Sequence, residues 1–313
     1  HVRSRRQRQM CIRDSYSSRL NNLVGSISVS YRIYNEDTPF YLTQLGLFGS
    51  SFHYDENLRY KIFVPSLTVI KRPDDFRSNE REAYSLSYVS VNREFGSDEI
   101  STPNYNVGNL GYLYANKEAI RFLKIGLNLE FSNLFGKLNF STEFRHLFHD
   151  GRTVSLRFFG GKFLWNNIQD TSYFDYSLNR SSDYLFRYNY LGRSDNDGIY
   201  SQQFILSEGG FKSKFKNPNA NDYILATNFG FSVWKWVEVY ADLGLTKNRN
   251  SKARGFYDSG LRINLVPDYL EFYFPIQNSE NYVLNDADYF SNMRFVLTVD
   301  LNNLKQLFSR RWF

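Results

Sequence analysis

The chain has 313 residues, with 38 Lys plus Arg against 32 Asp plus Glu, a formal charge of +6 and one cysteine. That composition excludes a disordered, collagenous or disulfide-stapled chain. No uninterrupted apolar run approaches the roughly 18 residues of a membrane helix, so helical spans are excluded as well. Aromatic residues, 29 Phe, 24 Tyr and 4 Trp, make up 18% of the sequence, and the length fits one large β-rich domain.

Residues 1–15 stand apart. Arg3, Arg5, Arg6, Arg8 and Arg13 against Asp14 contribute +4 of the +6, and Cys11 is the only thiol. There is no apolar signal region and no Met at position 1, so the segment reads as a non-native or unstructured leader and the chain as a fragment, incomplete at its N-terminus. It resembles translated adapter DNA more than a domain. The competing reading, a basic nucleic-acid or nuclear-targeting patch, is set aside, and no nucleic-acid partner is expected.

Past Ser15 the sequence alternates with period two. Ile27, Val29, Tyr31 and Ile33 share one face of an extended strand, with Ser26, Ser28, Ser30 and Arg32 on the other. Weaker runs cover 41–52, 58–70, 83–91 and 110–114. Leu123, Ile125, Leu127, Leu129 and Phe131 then alternate with Lys124, Gly126, Asn128 and Glu130; Leu138, Phe140, Thr142 and Phe144 with Asn139, Ser141, Glu143 and Arg145. Asp150-Gly151 predicts a hairpin into a strand bearing Val154, Leu156 and Phe158 opposite Ser155 and Arg157.

Another weak run covers 200–206. Tyr223, Leu225, Thr227, Phe229 and Phe231 resume the alternation, followed by Val237, Val239, Ala241 and Leu243 against Glu238, Tyr240 and Asp242. Leu261, Ile263 and Leu265 oppose Arg262 and Asn264; Leu270, Phe272 and Phe274 oppose Glu271 and Tyr273; Phe295, Leu297, Val299 and Leu301 mark a last strand. About fourteen strands result, many of about nine to twelve residues, with no helix beyond a turn or two.

Such strands exceed the roughly 5 to 6 residues usual in soluble sheets and suit the 9 to 11 tilted residues that cross a bilayer. The fold class predicted is all-β: a closed antiparallel transmembrane β-barrel of about 12 to 16 strands over 16–301, with 302–313 as a short interfacial tail. Lipid would face the apolar stripe and the lumen the polar one. Trp165, Trp234, Trp236, Tyr269 and Tyr273 suit interfacial girdles. Tight connections at 132–136, 234–236 and 266–268 alternate with long polar ones at 166–198, 207–221, 246–255 and 277–292, the asymmetry of periplasmic turns and outer loops.

Residues 201–212 (Ser-Gln-Gln-Phe-Ile-Leu-Ser-Glu-Gly-Gly-Phe-Lys), 228–233, 237–244 (Val-Glu-Val-Tyr-Ala-Asp-Leu-Gly), 259–265 and 270–275 resemble the surface-antigen barrel of the bacterial outer-membrane assembly and secretion superfamily. The resemblance covers about a third of the chain. It implies that Gly209 and Gly210 open a loop folding back into the lumen, where its tip meets the Asp of an Asp-x-Gly motif; Asp242 and Gly244 match that motif. The family's tip carries Arg-Gly-aromatic. This chain offers Phe211-Lys212-Ser213-Lys214-Phe215, so Lys212 or Lys214 would pair with Asp242, without the planar fork of Arg. Arg254-Gly255-Phe256 has the family's letters but follows Asp242 in the chain. The C-terminal segment with its terminal Trp-Phe is similar to the membrane part of long Bacteroidota surface proteins, some joined to gluzincin-type aminopeptidase domains; here no His-Glu-x-x-His occurs.

Catalytic signals are thin. His146 and His149 sit at i and i+3 on a strand and point to opposite faces, which rules out a shared metal. No phosphate loop or nucleophile elbow is present. No enzyme activity, cofactor or metal is expected within the chain. The charges Arg145, Arg157, Glu238, Arg262 and Glu271 share the polar phase, and buried ions persist only when paired or hydrated; they predict a salt-bridge network or a polar conduit. The function expected is protein insertion, secretion or transport in the bacterial outer membrane, with membrane lipid and unfolded or secreted proteins as partners. The alternatives are the membrane anchor of a surface aminopeptidase whose catalytic domain lies elsewhere, and a soluble all-β binding module.

Overall fold

A computed structural model describes residues 6–17, 22–35, 38–55, 58–73, 75, 77–95, 104–168, 174–178, 202–204, 210–213, 215–266, 270–286 and 288–297. Among them seventeen β-strands, one 3-10 turn (Val283–Asn285) and one four-residue α-helix (Tyr289–Asn292) are formed. Fourteen strands have four residues or more; β10 (Tyr176–Ser177), β11 (Gln203–Phe204) and β12 (Asn219–Ala220) have two. The protein is all-β and almost wholly antiparallel. Period-two alternation without helix-length apolar stripes leaves the backbone no other way to satisfy its amides.

Contacts divide the chain into two units, residues 1–144 with 159–171, and residues 145–158 with 172–313. In the first, β1 (Arg6–Ser17), β2 (Asn22–Tyr34), β3 (Phe40–Asp55), β4 (Leu58–Lys71), β5 (Glu80–Phe95), β6 (Asn104–Lys117) and β7 (Arg121–Phe131) pair in chain order. β1 begins within the Arg-rich segment and pairs Arg6–Ser17 with β2. Strands β8 (Phe135–Leu147) and β9 (Thr153–Asn166) contribute residues to both units.

One cross-strand row in the first unit runs Tyr31, Leu45, Leu67, Leu86, Leu110, Leu129 over six strands. Leu45, Leu86 and Leu110 in it are 45–47% exposed. The opposite face buries Gln44, Ser66 and Ser87 at least in part, together with fully covered Val89, Val91 and Val107. The covered face of this unit is thus apolar in places, which is why alternation over 41–52, 58–70 and 83–91 is weak in the sequence: both stripes carry aliphatic residues.

In the second unit the strand order is β9, β13 (Tyr223–Ser232), β14 (Val237–Lys247), β15 (Arg254–Val266), β16 (Leu270–Asn278), β17 (Arg294–Leu297), and β11 runs parallel to β17. The hairpin predicted at Asp150-Gly151 forms, with Gly151 at φ +80° and Phe148 N donating to Arg152 O at 2.8 Å. The β13–β14 turn is closed by Val233 N and Trp234 N donating to Val237 O, and leaves Trp234 and Trp236 exposed.

Exposure in this unit is inverted relative to a water-soluble sheet. Leu225, Phe229, Leu243, Leu261 and Leu265 stand open, whereas Asn228, Glu238, Asp242, Asp258 and Glu271 are buried.

Candidate functional site

Two polar rows cross the second unit. Ser232, Glu238, Arg262, Tyr273 and Arg294 are successive partners from β13 to β17, and Asn228, Asp242, Asp258 and Asn278 from β13 to β16. Period two puts both rows on one face of β13–β15, and the register shift that skips a residue between Pro275 and Gln277 brings Asn278 to the same face of β16 as Tyr273; the pairing aligns two carboxylates, Asp242 and Asp258, side by side. Like charges directly opposite are destabilising in a sheet. The pair persists because something sits on it.

That something is formed by residues 210–213 and 215. Lys212 and Ser213 are 3% and 5% exposed, and Gly210, Phe211 and Phe215 are buried with them. Lys212 Nζ donates to Asp242 Oδ2 at 2.9 Å, while Lys212 N and Ser213 N donate to Asp258 Oδ2 at 2.8 and 2.7 Å. Ser213 Oγ donates to Asp258 Oδ1 at 3.1 Å and Asn228 Nδ2 to Asp242 Oδ1 at 2.8 Å. The ammonium lies 5.4 and 5.5 Å from the ring centres of Tyr240 and Tyr273, a cation–π arrangement in desolvated surroundings. The Lys212 side chain, the Ser213 hydroxyl and two backbone amides therefore supply the donors that hold the carboxylate pair.

Apolar contacts seat the same segment. Phe211 and Phe215 meet edge to face at 5.7 Å, and Phe215 meets Phe256 of β15 at 5.3 Å. Gly244, two residues beyond Asp242 on the same face, supplies the room: a Cβ there would stand 2.7 Å from Leu178 and 2.8 Å from Phe211. Phe211 N donates to Leu178 O, and Leu178 N to Pro218 O, beside the short β10–β12 pairing.

A second cluster lies along the other row. Arg262 Nε donates to Glu238 Oε2 at 2.7 Å and its Nη2 reaches the same oxygen. Arg262 Nη1 donates to Tyr273 Oη at 3.3 Å and Tyr273 Oη to Glu271 Oε2 at 2.7 Å. Asn264 Nδ2 and Ser232 Oγ donate to Glu238 Oε1 at 3.2 and 3.3 Å. Arg157 Nη1 donates to Asn228 Oδ1 at 3.2 Å, tying β9 to the first cluster.

Of the residues the sequence singles out, Gly210, Lys212, Asp242 and Gly244 come together, and so do Glu238, Arg262 and Glu271. Arg157 joins the edge of the network; Arg145 stands half-buried on β8. Gly209 and Lys214 lie outside the described residues, as does 302–313. Arg254-Gly255-Phe256 opens β15, and its Phe256 serves as the wall for Phe215. Sequence reasoning missed Asp258, Asn228 and Arg294. Asp258 shares a strand with Arg262 at an even spacing, a signal that places it on the polar face, but its partner atoms are main-chain amides that no residue letter encodes.

Among the described residues no group of three His, Cys, Asp or Glu side chains is placed to hold a metal ion. The site's chemistry is charge pairing and hydrogen bonding.

No family model matches the chain, and no curated protein matches it. Among solved structures it is similar to BamA from Haemophilus ducreyi in a form lacking POTRA domains 1–3, at 10% identity and a TM-score of 0.46, over 87% of this chain and 60% of that one. The chain thus spans less than two thirds of that neighbour's length.

Proposed function

We propose that the chain is an outer-membrane β-barrel of the surface-antigen type, closed around the polar rows of its second unit, which acts in the insertion, secretion or transport of protein. The observation that carries this reading is the inverted exposure of β13–β16. Open leucines and phenylalanines suit acyl chains, and buried, mutually paired ions suit an enclosed interior. A soluble sandwich demands the reverse, with the aliphatic rows packed on a second sheet. Strands of 9 to 16 residues across β3–β9 and β13–β16 are long enough to cross the hydrocarbon. Closure belongs to the same proposal, because an open edge leaves unpaired amides in lipid.

Within that barrel the segment 210–215 is an inward latch. It is held by one buried ion pair and three hydrogen bonds to Asp258, and its removal would open space along the inner face of β14 and β15 for a passing or inserting polypeptide. The role proposed is conduction or assembly rather than catalysis.

The test is expression in a Gram-negative host followed by membrane fractionation and electrophoresis of unheated and heated samples. A folded barrel fractionates with the outer membrane and shifts mobility on heating. A chain that stays soluble without detergent and shows one mobility overturns the proposal.

A further inference from the structure

The latch poses an energetic problem. When 210–215 withdraws, Asp258 loses Lys212 N, Ser213 N and Ser213 Oγ, and Asp242 loses Lys212 Nζ. Asp242 keeps Asn228, whereas Asp258 keeps no donor shown in the seated state. A buried carboxylate without partners is strongly destabilising, so an unassisted Asp258 would hold the segment in place.

Two buried side chains nearby have unused donors. Arg294, 1% exposed, spends Nη1 on the carbonyls of Ser291 and Met293 at 2.7 and 2.8 Å, while its Nε and Nη2 have no hydrogen-bond partner among the described residues. Tyr240, 5% exposed, has no partner for Oη among them either. The geometry brings them to Asp258. Tyr240 is the cross-strand partner of Gly260, and a Cβ on Gly260 would stand 2.8 Å from Tyr240 Oη. Gly260 lies two residues after Asp258 on the same face of β15. Arg294 is the partner of Tyr273, whose ring meets that of Tyr240 at 5.6 Å.

The Nε–Nη2 edge of a guanidinium presents two parallel N–H donors, the pattern that matches a carboxylate. Charge selects which carboxylate. With Lys212 withdrawn, Asp242 and Asp258 face Arg294 alone, so a free anion would deepen the net negative charge of a desolvated cluster, while a shift of Asp258 toward Arg294 adds none.

We propose that the Nε–Nη2 edge of Arg294 and Tyr240 Oη form a standby carboxylate site that receives Asp258 when segment 210–215 leaves the sheet. The inference rests on the reading of that segment as a movable latch. Arg294 lowers the cost of the withdrawn state, and so sets how often the segment opens.

Hydrogen exchange of the Lys212 and Ser213 amides, followed by mass spectrometry on the full chain folded in detergent, reads that opening directly. Arg294→Gln slows their exchange about tenfold or more, the scale of a lost hydrogen bond to a charged group. Tyr240→Phe, which keeps the ring and removes only the hydroxyl, slows it in the same direction and serves if Arg294→Gln fails to fold. Asp258→Asn speeds exchange and abolishes the effect of Arg294→Gln. Unchanged or faster exchange in folded Arg294→Gln and Tyr240→Phe overturns the handover. Wild-type exchange that responds to added acetate or inorganic phosphate overturns it too, in favour of a free oxyanion. Lys212→Ala separates the two readings: if it fails to speed exchange, the latch itself is wrong, and if it does so while Arg294→Gln has no effect, only the handover is.

Discussion

Lys212 does at one position what the register of β14 and β15 makes necessary. With Asp242 and Asp258 as cross-strand neighbours, the cation seated on Asp242 comes from outside the sheet. Lys212→Met removes it and strands both carboxylates, an expected loss of about 3–5 kcal/mol, read as a lower urea midpoint of the folded protein in detergent. Lys212→Arg keeps the charge and recovers most of that midpoint. Arg262 is in a comparable position, since Glu238 and Glu271 both depend on it. Arg262→Met destabilises by a similar amount, and the same titration measures it. The choice between Lys212 and Lys214 was beyond the sequence, because two lysines two residues apart share one phase of an extended segment. Lys212 was selected by the path of the segment, fixed at Phe211 and Phe215 by aromatic contacts.

Elements carry their own constraints. Strand β14 accepts the latch only because position 244 has no side chain. Gly244→Val forces Leu178 and Phe211 apart and is expected to expose 210–215 to limited proteolysis while the mobility shift on heating persists; an unaltered cleavage pattern counts against the packing described. At the β8–β9 hairpin, Gly151→Ala places a side chain at φ +80° and should cost about 1 kcal/mol, measured by thermal unfolding. These turns were legible in advance, since Asp-Gly between alternating runs is a local signal. The Asp258 bonds were not, because they depend on three strands and a distant segment meeting.

At the scale of the molecule the decisive feature is the row Tyr31, Leu45, Leu67, Leu86, Leu110, Leu129 and its counterpart Phe231, Val239, Leu261, Phe274. Under the proposed placement these rows face acyl chains. Leu86→Lys is then expected to cost roughly 2–4 kcal/mol near the bilayer centre, read as a reduced folded fraction in lipid vesicles across a urea series, and Ser87→Ala on the opposite face far less. Equal effects at the two positions would contradict an outward apolar row.

Alternation of residue types needs only the pleat of an extended chain, so most of the strands and their two-faced pattern are properties of the sequence itself, whereas their limits are set by pairing, as where the run over 110–114 extends over Asn104–Lys117. The pattern is symmetric, however: a strand with one greasy and one charged stripe suits water outside or water inside equally well. Which stripe is covered depends on what the neighbouring strands and the returning segment place over it, and that sum of long-range contacts put Asp242, Asp258 and Glu271 under cover and left Leu243 and Leu261 bare.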